Sequence, residues 1–187
     1  MNLWLRLFWY FITAWRRPTI AMPDGVSQLS FRVLPTDLDT SAHMNNGRYL
    51  ALMDLGRLDI LVSTGLLRAA LRHKWTPVAT AIKIRFRREL RLFQRFHILT
   101  RIVAWDEQTV VMEQQFIMSG GTRDGQLAAQ ALFKGGLYDR AAKRFVPIAT
   151  LMRETGQDGE SPAPSPEVAA FLKADDEMKR AAQRRVD

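Results

Sequence analysis

The run Asp37-Leu-Asp39-Thr-Ser-Ala-His43-Met-Asn45-Asn46-Gly47-Arg48-Tyr49 gathers two carboxylates, an imidazole and two carboxamides just ahead of a stretch with helical apolar spacing. Residue types in this order suit attack on an activated carbonyl carbon. A loop carboxylate beside a helix N-terminus can act as general base on water, or attack the carbon itself. The helix start supplies unpaired N–H groups and the positive end of a dipole, which stabilise the oxyanion that forms. Gly47 or its neighbours can present such an N–H with little obstruction. Each residue also has a plainer use. An aspartate caps turns, His43, a second candidate base, can instead hold the loop by hydrogen bonds, Asn45 or Asn46 can simply cap the helix, and Tyr49 on a helix face can be core.

The elements around this run have readable periods. Residues 29–34 alternate apolar and polar, as a half-buried strand does. From Asn45–Gly47 to about Leu71, Tyr49, Leu52, Met53, Ile60, Thr64 and Leu67 share one helical face. Gly56 costs helix stability in the middle of that face, so a close approach of helix to sheet is its expected use. After Pro77 the period becomes two: Ile82, Ile84 and Phe86 alternate with Lys83, Arg85 and Arg87. Residues 95–105, 109–118 and 127–138 read as further strands, with a bulge expected at Gly135-Gly136. One long helix followed by consecutive strands predicts an α+β fold, an antiparallel sheet around a single helix.

Composition narrows the function classes. The chain has 187 residues, a formal net charge of +8 and no cysteine. Disulfides, thiolate metal sites and cysteine nucleophiles are thereby excluded. No G-x-S-x-G occurs, which argues against a serine hydrolase. His73 and His97 have no ligand-like neighbours, so no metal site is expected. The positive charge suits a polyanion, but the arginines are scattered and no nucleic-acid module is present; nucleic acid is not an expected partner.

The motif resembles the D-x-D-x-x-G-H-x-N-N-x-x-Y signature of hotdog-fold thioesterases of the 4-hydroxybenzoyl-CoA thioesterase family, and the resemblance runs over about residues 27 to 140. It implies a hotdog fold and hydrolysis of acyl-CoA thioesters, with a fatty or aromatic acyl chain held between helix and sheet. It assigns Asp39 as base or nucleophile, Asn45 and Asn46 to orienting water or shaping the loop, and Tyr49 to the acyl pocket. Coenzyme A enters only as part of the substrate, and no other cofactor is implied. Ala42 departs from the family's usual glycine. Asp54 is a rival carboxylate, since other hotdog branches place theirs on the central helix. The acids lie six and four positions before His43, a spacing unlike that of hotdog dehydratases. Lys83, Arg85, Arg87 and Arg88 are candidates for the CoA phosphates, or form a solvated outer face. The resemblance also implies a homodimer or tetramer with sites at the subunit boundary. A non-catalytic acyl-binding protein and an acyl carrier protein thioesterase are the alternative readings.

Four segments are expected: an apolar N-terminal stretch 1–22, a hotdog domain 23–150, a linker 151–166 and a charged C-terminal helix 167–187 anchored by Val168, Phe171 and Leu172. A helix over residues 1–15 would span about 20 Å, too short to cross a bilayer core of about 30 Å. Two readings stand for residues 1–17: an interfacial membrane contact through Trp4, Trp9, Trp15 and the arginines, or a helix packed on the domain or its dimer partner. The expected location is the cytoplasm, at or away from the inner membrane face.

Overall fold

The computed structural model describes residues 2–14 and 18–184. Helix α1 (Asn2–Ala14) precedes strand β1 (Val26–Arg32), and a short 3-10 turn at Pro35–Asp37 opens the motif loop. Helices α2 (Asn46–Ser63) and α3 (Leu66–His73) follow, then β2 (Thr76–Phe86), β3 (Arg95–Trp105), β4 (Val110–Ser119) and β5 (Leu127–Asp139). A two-residue β6 (Arg144–Phe145), α4 (Ile148–Thr155) and α5 (Pro166–Gln183) complete the chain. The strands form a curled antiparallel sheet in the order β1-β3-β4-β5-β2, with β6 on β5. The α+β hotdog architecture is therefore present.

Alternation along the strands sends Phe96, Ile98 and Phe116 toward α2, where they meet Tyr49, Leu52 and Met53 in the main core. The opposite parity, Val111 and Leu132, receives Val168 and Phe171 of α5. Both faces of the sheet are thus covered, and the C-terminal helix holds by the anchors its sequence offered.

Gly56 is where α2 comes closest to the sheet. A Cβ there would lie 2.8 Å from Gln114 Nε2 and collide with Thr100 Oγ1. Gln114 is fully buried; its Nε2 donates to the Met53 carbonyl at 2.9 Å, and its Oε1 accepts from Arg57 at 2.7 Å. Gly56→Ala must displace this network, so a loss of about 2 kcal/mol is expected, seen as a fall of about 4–8 °C in Tm.

Three sequence expectations need correction. The helix expected to reach Leu71 breaks after Ser63, because Gly65 turns left-handed at φ +81° and starts α3. The bulge lies on the partner strand: register slips between Ala79 and Ala81 of β2, opposite Gly135. A Cβ on Gly135 would sit 2.5 Å from the Val78 carbonyl, so the glycine makes room for the irregularity rather than forming it. The boundary at 150/151 cuts through α4, whose Ile148 and Leu151 are buried with Leu66, Leu137 and Val146. Even the segment after α4 is tied down, as Gln157 accepts from Met22 N at 2.6 Å and Ser161 Oγ accepts from Trp105 N at 2.8 Å.

Candidate active site

The motif folds back on itself as a tight antiparallel loop. Asn45 N donates to the Asp37 carbonyl at 2.9 Å, Leu38 bridges Met44, and Asp39 N donates to the His43 carbonyl at 3.0 Å. The turn closes with Ala42 N on the Asp39 carbonyl at 3.1 Å. Asp39 thus stands across from His43, which lies three residues before the start of α2. A second segment pins the loop from outside: Met44 N donates to the Leu90 carbonyl at 2.8 Å, and His43 bridges Arg91.

The two aspartates have different environments. Asp37 is 1% exposed; its Oδ2 accepts from Arg6 at 2.6 Å and from Leu34 N at 2.9 Å, and Arg48 lies 3.9 Å from Oδ1. It holds the loop and α1 together. Asp39 is one quarter exposed, with Oδ1 accepting from Ser41 N at 2.9 Å and Oδ2 3.6 Å from His43 Nδ1. That last distance is too long for a hydrogen bond, but it sets the imidazole beside an accessible carboxylate.

At the helix start, Asn45 rather than Asn46 is the N-cap, and its Oδ1 accepts from Gly47 N at 2.8 Å. The Gly47 N–H expected to face an oxyanion is therefore occupied. The Asn46 N–H, first of the helix, donates to no group among the described residues. Ala42 takes φ +60°, a conformation that costs an L-residue about 1–2 kcal/mol and that glycine adopts freely. Ala42→Gly is expected to keep the loop and raise stability by about 0.5–1 kcal/mol, since the flexible unfolded chain offsets part of the relief. Thermal melting would show it as a small rise in Tm.

Tyr49 does not reach an open pocket in this chain. Its ring is 2% exposed, 5.1 Å from Phe86 and 4.9 Å from Phe116, and burial pushes its hydroxyl up to about 12. Its place is in the core, as the plainer use anticipates. Lys83, Arg85, Arg87 and Arg88 are all exposed. Arg87 and Arg88 adjoin the loop at Leu90 and Arg91 that grips the motif, and Arg88 Nη1 donates to the Leu127 carbonyl at 3.1 Å. Lys83 and Arg85 lie further off, at about 3.3 Å per strand residue.

A cavity of about 200 Å³ sits between the far half of α2 and the sheet, lined mostly by apolar side chains such as Ile60, Trp105, Met112 and Phe133. None of the motif residues lines it; its charged liners are Asp54 and Arg57. Those two form an ion pair, with Arg57 stacked 4.2 Å over the Phe133 ring. Burial lowers the pKa of the Arg57 guanidinium, and Asp54 acts in the opposite direction. The rival carboxylate thus belongs to the cavity, while Asp39 belongs to the helix start. Arg57 and the Asp37–Arg6 clamp escaped sequence reasoning; only an arginine interrupting the apolar run at position 6 hinted at the second.

Curled sheet, enclosed helix and carboxylate loop at the helix start define a hotdog protein. The chain belongs to the thioesterase-like superfamily, whose model matches residues 33–172. It is 43% identical over 101 residues to Protein THEM6 of Danio rerio, covering 54% of this chain and 48% of that one. It thus spans about half the length of that relative. Among solved structures, a probable thioesterase of Escherichia coli superposes with a TM-score of 0.62 at 23% identity, over 70% of this chain and 96% of that one. A Staphylococcus aureus protein in complex with CoA gives 0.63 at 17% identity, over 81% and 96%. Such distant structural likeness establishes the fold.

Proposed function

We propose that this chain hydrolyses acyl-CoA thioesters to free acid and CoA, with Asp39 as base or nucleophile. The observation that carries the reading is the juxtaposition of a partly exposed Asp39 carboxylate, His43 at 3.6 Å and a helix start whose first N–H has no described acceptor. As base, Asp39 takes a proton from water while the hydroxide adds to the thioester carbon. As nucleophile, its oxygen forms an anhydride that water then opens. On either route the Asn46 N–H and the α2 dipole stabilise the oxyanion, and the CoA thiolate leaves and is reprotonated. Asn45 shapes the helix start as its cap. The exposed cations of β2 and of the two residues after it, Arg87 and Arg88, suit the phosphates of CoA, the last two being nearest to the motif. A fold neighbour solved in complex with CoA supports that carrier.

The same reading includes a homodimer. β2 is a sheet edge of 11 residues, with Ile82 42% and Phe86 41% exposed. The unpaired backbone N–H and C=O groups of so long an edge are a template for pairing with another strand. Pairing there places the cavity, which opens beside Pro77–Ala79 of the same strand, at the subunit boundary. Sedimentation velocity showing a monomer at micromolar concentration would remove this element.

Free-thiol release from short, long and aromatic acyl-CoAs tests the reaction. Turnover of at least one class is the expected result; none by a folded protein overturns the proposal. One observation favours a second reading, a non-catalytic acyl-binding protein: the apolar cavity has no motif residue in its wall. Calorimetric binding of a non-hydrolysable acyl-CoA thioether, without turnover of the thioester, would select it.

A further inference from the structure

Helix α1 is apolar on both sides, with Leu3, Leu7, Tyr10 and Ala14 packed against the main core. Its inward side also carries Arg6, donating to Asp37 at 2.6 Å and to the Arg32 carbonyl at 3.0 Å, and the Tyr10 hydroxyl donates to Asp59 at 2.8 Å. Asp59 is itself buried and accepts from Ser27 Oγ at 2.5 Å. The outward side carries Trp4, Leu5, Phe8, Trp9, Phe11 and Ile12, between 75% and 47% exposed. An ordinary surface helix buries its apolar stripe and shows its polar one. Here the inward packing and buried hydrogen bonds fix the helix so that these aromatics stay outside, which water alone would not favour.

We propose that this outer face docks on an anionic lipid bilayer, with α1 lying in the plane of the interface. Charge selects lipid as the occupant. Residues 1–23 hold three arginines, Arg6, Arg16 and Arg17, and no acid; Arg16 and Arg17, like Trp15, lie outside the described residues. The whole chain is at +8. With Arg6 paired inward to Asp37, the acid-free N-terminal segment and the net charge of +8 favour an anionic headgroup layer. Composition points the same way: tryptophan and phenylalanine settle at the boundary between headgroups and acyl chains. No helix among the described residues is long and apolar enough to span a membrane. Through Arg6 and Asp37 the docked helix is joined to the motif loop, so the candidate site is held beside the lipid surface. The docking stands independently of whether the chain hydrolyses thioesters.

The test is co-sedimentation of the full chain with vesicles of phosphatidylcholine alone and with about 30% phosphatidylglycerol, in low and high salt. The parallel variant is Trp4→Ser/Phe8→Ser/Trp9→Ser, with thermal melting as the fold control. Binding to anionic vesicles, weakened by salt, with a blue-shifted tryptophan emission and a loss of tenfold or more in the folded triple variant, is the expected result. No binding to either vesicle overturns the proposal. So does a wild-type oligomer that the triple variant splits, which would assign the face to a second copy. Thiol release in vesicle-free buffer reads the hydrolysis proposal separately.

Discussion

Asp39→Asn is expected to lower thiol release from acyl-CoA by about 10²-fold or more while leaving the protein folded. The substitution keeps an oxygen that accepts from Ser41 N, now 2.9 Å away, so the turn from Asp39 to Ala42 retains its bonds. It removes the basic and nucleophilic carboxylate beside His43. Asp39 is one quarter exposed and carries no core packing, so Tm should move by about 2 °C at most, as for other surface positions. Asp54→Asn is the matched comparison. That carboxylate is committed to Arg57 at the cavity wall, and its loss should act on acyl binding, raising KM more than it lowers kcat. Should Asp39→Asn keep wild-type turnover while Asp54→Asn loses it, the chemistry belongs to the helix carboxylate and the present assignment fails.

Asp37→Ala should be the most destabilising single change in the motif, by about 3–5 kcal/mol. Only two positions earlier than Asp39, it is buried, and it receives Arg6 and Leu34 N on one oxygen. Truncation strands a guanidinium that is itself 10% exposed and leaves a backbone N–H without its acceptor. Urea unfolding with unchanged m-value would read the loss directly. Arg6→Met should cost less, because the remaining carboxylate keeps Leu34 N and has Arg48 nearby. A loss below about 1 kcal/mol for Asp37→Ala would mean that α1 is not fastened through this pair. Activity per folded molecule should survive, since it is the Asp37 carbonyl, not the carboxylate, that holds Asn45 N.

Much of the architecture was legible because local periods survive folding. The alternation through Ile82, Ile84 and Phe86, the helical face from Tyr49 to Ile60 and the Asn cap report on one element at a time, and each element's period follows from its own backbone geometry. Gly56 was readable for the same reason: a glycine placed mid-helix implies a neighbour too close for a side chain, and Thr100 and Gln114 are that neighbour. The motif was legible as a whole, but the roles inside it were not.

What tertiary structure decided are the partnerships. Two aspartates of identical chemistry, at positions 37 and 39, were separated by burial and by an arginine 31 residues away. Asn45 took the cap and filled the Gly47 N–H, leaving the amide of Asn46 with no acceptor among the described residues. The helix break at Gly65 and the bulge in β2 depend on packing against α4 and β5. The N-terminal stretch shows the division most clearly. Its residues established that the helix is apolar and arginine-flanked; the buried acids Asp37 and Asp59, brought near by the fold, together with the core that receives Leu3 and Leu7, determined which side faces outward. Composition is a property of the segment, whereas orientation is fixed by where distant polar groups find their partners.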